Sequence, residues 1–152
     1  MGKINSRAKG AQGEREFCKA LGEYVGDALV EPLKRNLEQT RNGGHDILGL
    51  DGWALEIKRY KRVKEGDLVE FWNQAVVQAA RVKAKPVLAY REDFRSWRVR
   101  ISMAELTGIW HPESLSLDWT IEVGLEAFAY IVREQHNATK LHESETPITL
   151  AA

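Results

Sequence analysis

Two short apolar runs flank the dipeptide Asp51-Gly52 within residues 43–58. Apolar runs around an Asp-Gly dipeptide predict two antiparallel strands joined by a tight turn. Charged side chains interrupt these runs only at Asp46, Glu56 and Lys58. Because successive strand residues face opposite sides of a sheet, we expect Glu56 and Lys58 to lie on one common face.

The length of the turn decides where Asp46 points. A two-residue loop would pair Asp46 with Ile57 and separate it from Glu56. A three-residue loop over residues 50–52, with its glycine in the left-handed conformation, would pair Asp46 directly with Glu56. Both loops are common, and the sequence suits either of them.

The three-residue loop would set two carboxylates opposite each other. Cross-strand neighbours lie roughly 5 Å apart at Cβ, so Asp46 and Glu56 would repel each other unless a cation lay between them. Hard oxygen ligands suit Mg²⁺, and this register therefore predicts a cation site. The alternative interpretation is an ordinary salt bridge between Glu56 and Lys58 on a solvated strand face.

Hydrophobic periodicity on either side of the hairpin predicts alternating helices and strands. The predicted elements are a helix over residues 12–26, a strand over 28–36, the two hairpin strands, a helix from Asp67 to about residue 84, strands over 86–90 and 96–101, a short helix beyond Ser102, a strand near 119–123 and a helix over 124–135. From His136 onward the sequence is polar and aperiodic, which predicts a tail over residues 136–152.

The first predicted helix carries two glutamates on opposite sides. At about 100° per residue, Glu14 falls on the apolar stripe that contains Phe17, whereas Glu16 faces water. A carboxylate on a buried helix face is costly unless a partner compensates it. We expect Glu14 to lie in the first turn, where the helix dipole compensates part of this cost, and a nearby cation is the functional alternative.

Composition narrows the class of protein. A chain of 152 residues with 43% hydrophobic content is typical of one folded domain. The single cysteine, Cys18, excludes an intramolecular disulfide, so we expect a reducing, intracellular location in the cytoplasm. No apolar run approaches the roughly 20 residues of a membrane span, so no membrane partner is expected.

Net charge is zero, but its distribution is uneven. Residues 1–64 carry 13 Lys and Arg against 9 Asp and Glu, and residues 65–152 carry 9 against 13. Five of the seven residues from Lys58 to Lys64, which we call the basic rim, are positively charged. The rim is either a solvated strand end or a phosphate-binding surface. The candidate DNA contacts are Arg41, Arg59, Lys61, Arg62 and Lys64.

The order of these elements resembles the PD-(D/E)XK nuclease superfamily: a helix with Glu14, a strand, a strand from Asp46, a strand with residues 56–58, a helix and a strand. Within that superfamily, residues 9–16 look like the opening of the archaeal-type Holliday junction resolvases, which begin with Lys-Gly and then Glu-Arg. Residues 73–75 are similar to a Gln-Ala element of the same enzymes.

The resemblance implies an α/β fold with a restriction-endonuclease-like core. In this fold a mixed β-sheet is flanked by helices in α-β-β-β-α-β order. A single nuclease domain would span residues 1–135, with the core at about 7–101 and a C-terminal strand-helix extension at 102–135. That extension has no counterpart in the family pattern. A serine of the archaeal enzymes also has no clear equivalent, unless Thr40 serves.

The resemblance also implies metal-dependent hydrolysis of DNA. The implied metal ligands are Asp46, Glu56, the Ile57 backbone carbonyl and Glu14, for Mg²⁺ or a substituting Mn²⁺; the implied catalytic residues are Glu14, Asp46, Glu56, Lys58 and Gln74. The favoured substrate is a four-way junction cut by a homodimer. Alternatives are a nuclease acting on other branched or linear DNA, and a non-catalytic DNA-binding domain of the same fold.

Overall fold

The computed structural model describes residues 6–29, 32–37 and 45–145. Helices and strands follow one another in a mixed α/β order. In chain order they are α1 (Ser6–Val25), β1 (Lys34–Arg35), β2 (Ile47–Leu48), β3 (Trp53–Tyr60), α2 (Glu65–Val82), β4 (Lys85–Glu92), β5 (Arg98–Ser102), α3 (Ala104–Thr107), β6 (Thr120–Gly124) and α4 (Leu125–Glu145). The predicted order of helix, three strands, helix and strand is confirmed.

A mixed four-stranded sheet in the order β3-β4-β5-β6 forms the centre of the structure. β3 and β4 run parallel, and β4-β5 and β5-β6 are antiparallel. Parallel neighbours need a crossover connection, which the 18 residues of α2 supply. β3 lies at one end of this sheet, so one of its edges faces away from β4.

Residues alternate between the two faces of the sheet, and each face has its own apolar cluster. One face packs against α1 and α4, through residues that include Phe17, Leu55, Val87, Val99 and Phe128. The other face packs against α2 through Phe71, Trp72, Leu88 and Tyr90. Glu56 and Lys58 share one face as predicted, and because they alternate with Leu55 and Ile57 this is the face covered by α2.

The predicted two-stranded hairpin is wrong in its pairing. β2 pairs with β1, with Arg35 opposite Ile47, and no ladder joins β2 to β3 within the described residues. The turn itself forms: the Trp53 N–H donates to the Leu50 carbonyl over 3.2 Å, and Gly52 has φ 81°. The left-handed glycine is therefore confirmed, whereas a regular ladder on either side of it is not.

Gly49 explains why the ladder fails. Its φ of 109° turns the chain directly after β2, in a region of backbone space that favours glycine. A Cβ at this position would lie 3.2 Å from the Pro32 carbonyl oxygen. The chain segment before β1 therefore packs closely against Gly49, where the chain turns out of β2.

Several element boundaries differ from the predicted ones. α1 begins at Ser6 instead of residue 12. α2 begins at Glu65 because Asp67 accepts a hydrogen bond from the Lys64 N–H over 2.8 Å inside its first turn. The strand predicted over 28–36 shortens to β1, and a 3₁₀ turn covers Gly26–Ala28.

The C-terminal extension belongs to the same sheet and core. β6 pairs with β5, and α4 contributes Phe128, Ala129 and Val132 to the cluster under α1. α4 continues to Glu145, so the predicted tail is wrong over residues 136–145. Adding residues to an established helix costs far less than starting one, so a polar segment can extend it. No helix in the described ranges is long and apolar enough to span a membrane.

Candidate active site

Asp46 lies against the open edge of β3. Its N–H donates to the Leu55 carbonyl over 2.8 Å, and its Oδ2 accepts the Ile57 N–H over 2.6 Å. Asp46 therefore makes the hydrogen bonds to β3 that a neighbouring strand would otherwise make. It uses one backbone group and one side-chain oxygen. The N–H and C=O of a strand residue point to the same edge, so the Ile57 carbonyl also faces the Asp46 side.

The hairpin register predicted to pair Asp46 with Glu56 does not form, but the two carboxylates still interact. The backbone of Asp46 bonds to Leu55, in neither of the two registers considered for a regular hairpin. Burial raises the pKa of Asp46 to about 8, and the negative charges of Glu56 and Glu14 contribute in the same direction. Asp46 is therefore close enough to both glutamates for their negative charges to affect its ionisation.

Glu56 and Lys58 form an ion pair in a mostly buried setting. Lys58 Nζ lies 2.8 Å from Glu56 Oε1 and 5.1 Å from the centre of the Phe71 ring on α2. Burial opposes the charge on Lys58, but Glu56, Tyr60 and Asp46 together more than offset that effect, and the pKa of Lys58 is raised. The ion pair of the alternative interpretation therefore exists, but Glu56 is only 5% exposed and does not lie on a solvated face.

Glu56 Oε2 is buried and has no hydrogen-bond partner in the part of the chain that the structure describes. An unpaired buried carboxylate oxygen is costly, and a bound cation would remove that cost. Oxygen donors are the ligands that Mg²⁺ prefers, so this oxygen and the neighbouring Asp46 suit such an ion. Among the described residues, no three His, Cys, Asp or Glu side chains are close enough to form a metal-binding group.

Glu14 is buried on α1, as its place on the apolar stripe predicts. α1 begins at Ser6, which places Glu14 in the third turn, beyond the first-turn range of the helix dipole. Arg35 of β1 compensates it instead, with its Nε 2.5 Å from Glu14 Oε2. The sequence indicated that Glu14 needs a positive partner, but gave no sign that Arg35 supplies it.

Gln74 is half-buried on α2. No hydrogen bond links it to Asp46, Glu56 or Lys58 among the described residues. The α2 side chain that reaches Lys58 is Phe71, which the sequence analysis assigned only to the apolar stripe.

The basic rim divides into exposed and paired side chains. Lys61, Arg62 and Lys64 are exposed, as phosphate contacts require, and Arg41 lies outside the described residues. Arg59 is different: its side chain is 17% exposed and paired with Glu16 at 3.1 Å.

The prediction that Glu16 faces water was wrong. Glu16 is half-buried and binds Arg59 at 3.1 Å and Arg91 at 3.2 Å. Arg59 lies close to α1 because Gly13 leaves room: a Cβ on Gly13 would lie 3.1 Å from the Arg59 Cβ. The face of α1 beside the apolar stripe is thus an ion-pairing surface.

Comparison with known proteins identifies the family. Residues 5–144 match the family described as "Phage putative PDDEXK endonuclease". No curated protein matches the chain.

Among solved structures, the fold is similar to Hjc, a Holliday junction resolvase from the hyperthermophilic archaeon Archaeoglobus fulgidus. The two chains share 17% sequence identity with a TM-score of 0.41, over 79% of this chain and 88% of the other. Because the family match spans nearly the whole sequence, this chain belongs to that phage endonuclease family, within the PD-(D/E)XK nuclease superfamily.

Proposed function

We propose that this nuclease is a Mg²⁺-dependent DNA endonuclease selective for branched DNA, with the four-way junction as its preferred substrate. The observation that carries the proposal is the buried group of Asp46, Glu56 and Lys58 at the open edge of β3. A bound cation would give the unpartnered Glu56 oxygen a ligand bond and would lower the raised pKa of Asp46. Mn²⁺ prefers similar ligands and would substitute.

Asp46, Glu56 and the Ile57 carbonyl would hold the ion. Glu14 would join them directly or through a water molecule, once its ion pair with Arg35 loosens. When bound, the metal polarises the scissile phosphate and lowers the pKa of a coordinated water. The role of the protein is to keep these oxygen donors converging on one edge of β3.

Lys58 would act as a hydrogen-bond donor. Burial does not lower its pKa, so Lys58 stays charged at neutral pH and is suited to orienting the attacking water and to stabilising negative charge that develops on the phosphate. Gln74 lies three residues after Phe71, on the same side of α2. We assign it the supporting role of steadying Lys58 or the water.

DNA would be bound mainly through its phosphates. Lys61, Arg62 and Lys64 are exposed at the end of β3 and beyond it. Arg41, which lies outside the described residues, would add a further contact. Phosphate contacts carry no sequence information, so selectivity would depend on DNA shape. A homodimer would supply the two identical sites that symmetric nicks in a four-way junction require.

The test is to incubate the protein with a four-way junction, a fork and a linear duplex, with Mg²⁺, with Mn²⁺, with Ca²⁺ and with chelator. We expect cleavage only with Mg²⁺ or Mn²⁺, and fastest on the junction. The Asp46→Asn protein, purified identically, controls for contaminating nucleases. Fastest cleavage of the fork or duplex would contradict the junction assignment, and no cleavage with either Mg²⁺ or Mn²⁺ would favour the non-catalytic DNA-binding alternative.

A further inference from the structure

Phe94 occupies the tip of the turn between β4 and β5 in an unusual state. Its side chain is 101% exposed, and its backbone has φ 63°. Left-handed backbone is unfavourable for a bulky residue, and a fully solvated aromatic ring gains nothing from burial. Lys83 is the only other non-glycine residue with positive φ in the described ranges, and it ends α2.

Main-chain hydrogen bonds hold this turn in place. The Asp93 N–H donates to the Tyr60 carbonyl over 3.0 Å, which attaches the turn to the end of β3. The Arg95 N–H donates to the Glu92 carbonyl over 3.1 Å and closes the turn around Phe94.

Side chains fix both residues that precede Phe94. Asp93 lies 3.4 Å from Lys9 Nζ, and Glu92 accepts the Val63 N–H over 3.3 Å. Phe94 is therefore presented from a turn that is anchored to α1, to β3 and to the segment after β3. A backbone already held in place loses little conformational entropy when the residue it carries binds.

The turn lies at the same end of β3 as the exposed part of the basic rim. Tyr60, to which Asp93 bonds, comes four residues after Glu56, or about 13 Å along the strand. Successive nucleotides of one DNA strand are about 3.4 Å apart, so a DNA strand running along β3 would span this distance with about four nucleotides. Lys61, Arg62 and Arg95 are exposed beside the turn and would attract phosphates.

Single exposed apolar residues are common on protein surfaces, and exposure alone would carry no argument. Phe94 combines full exposure with an unfavourable backbone conformation, a turn fixed at several points and a basic surround. An aromatic ring in such a place can stack on a nucleobase or enter between two bases. Continuous duplex offers no free base face, whereas a branch point interrupts the base stack.

We propose that Phe94 stacks on a base exposed where the DNA stack is interrupted, about four nucleotides from the phosphate that is cut. This inference rests on the proposed function for its substrate, and it gives the nuclease a direct contact that distinguishes branched from continuous DNA.

The experiment measures binding in Ca²⁺, where cleavage is not expected. The DNAs are a four-way junction with 2-aminopurine at the branch point and a continuous duplex of the same composition. Phe94→Asn removes the ring but tolerates left-handed backbone, Phe94→Trp keeps an aromatic ring, and Tyr130→Ala removes a different exposed aromatic. Thermal unfolding of every variant verifies that it is folded.

We expect Phe94→Asn to weaken junction binding about tenfold and duplex binding less than about twofold. It should also abolish the change in 2-aminopurine fluorescence, while Phe94→Trp and Tyr130→Ala behave like the wild type. Equal junction affinity of Phe94→Asn and wild type, or an equal loss on both DNAs, would overturn the inference.

Cleavage assays in Mg²⁺ separate this inference from the proposed function. If the wild type binds the junction through Phe94 but cuts no DNA, the nuclease assignment fails and the stacking contact stands. If the wild type cuts the junction and Phe94→Asn binds and cuts it equally well, the stacking contact fails alone.

Discussion

Two charged clusters both include residues of α1 and β3. One has an excess of negative charge and the other an excess of positive charge. The carboxylate site contains Glu14, Asp46 and Glu56 with the cations Arg35 and Lys58. The ion-pair network contains Glu16 and Asp93 with the cations Lys9, Arg59 and Arg91. The site has one carboxylate more than it has cations, and the network has one cation more than it has carboxylates.

That difference separates the ion-pair network from the proposed metal site. In the network, Glu16 and Asp93 each bind two cations. In the site, Asp46 is held by backbone groups and Glu56 Oε2 has no described partner. A cluster with fewer cations than carboxylates is suited to bind a metal ion, whereas a cluster with an excess of cations is not.

The two clusters are separated by side-chain direction and not by distance along the chain. Glu14 and Glu16 are two residues apart, which is about 200° around α1. Glu56 and Arg59 are three residues apart on β3, which places them on opposite faces of the sheet. Residues that are close together in the sequence therefore belong to different charged clusters.

The largest expected effect is on cleavage when Asp46 is changed. Asp46→Asn should lower the cleavage rate by roughly 10³-fold or more, because it removes a charged oxygen ligand. Junction binding in Ca²⁺ or chelator should be unchanged or tighter, since a negative charge near phosphate is lost. Asp51→Asn, in the exposed turn, is the matched control and should cut normally. A near-normal rate for Asp46→Asn would exclude the metal-site interpretation.

The two glutamates of α1 should differ in what they control. Glu14→Gln should slow cleavage by about 10- to 100-fold, as changes beside a metal site do. Glu16→Gln should slow it less than about threefold, but lower Tm by about 2–4 °C because Arg59 and Arg91 lose a partner. Cleavage rates and thermal melts of both variants measure this. The opposite pattern would place the functional group in the network.

Stability without metal should depend on the protonation of Asp46. Its folded pKa of about 8 exceeds the ordinary value of 3.8, so the folded protein holds a proton that the unfolded chain releases between these pH values. The contribution of Asp46 to the free energy of unfolding is therefore fully present below about pH 4 and is lost as the pH rises towards 8. We expect Tm in chelator to fall by about 5 °C or more between pH 5 and pH 8.

Two comparisons isolate Asp46 from other titrating groups. Asp46→Asn should show a smaller fall in Tm over the same range, because its side chain does not ionise. Mg²⁺ should raise the Tm of the wild type more at pH 8 than at pH 6, since the ion competes with the proton. Identical pH profiles for wild type and Asp46→Asn would show that this carboxylate does not carry the effect.

The smallest expected effect separates the exposed rim from the network. Arg62→Ala and Lys64→Ala should each weaken binding several-fold on every DNA and reduce the salt slope of the binding constant by about one. Arg59→Ala should lower Tm and leave that slope nearly unchanged, because Arg59 is occupied with Glu16. Binding titrations at several salt concentrations give the slopes. A larger slope change for Arg59→Ala would show that the network opens to bind phosphate.

The sequence determined the order of the elements, the faces of the helices and strands, and the residues that carry charge on those faces. Glu14 is buried because it repeats with Phe17 at the helical period, and Glu56 and Lys58 share a face because strands alternate. Gly52 turns the chain because glycine tolerates the left-handed conformation that the turn needs. These features depend on neighbours within a few residues, and periodicity encodes them directly.

Tertiary structure decided which partners those residues meet. Pairing of β2 with β1 brings Arg35 to Glu14, and Asp46 reaches the edge of β3 through its own side chain. Arg59 joins Glu16 because Gly13 lets α1 approach β3 closely. Such contacts form between segments far apart in the chain, where the free energy of the whole packed arrangement selects among several locally acceptable pairings. A local pattern carries no record of that competition. The sequence therefore predicted a cation beside the carboxylates, but not the geometry that brings these residues together.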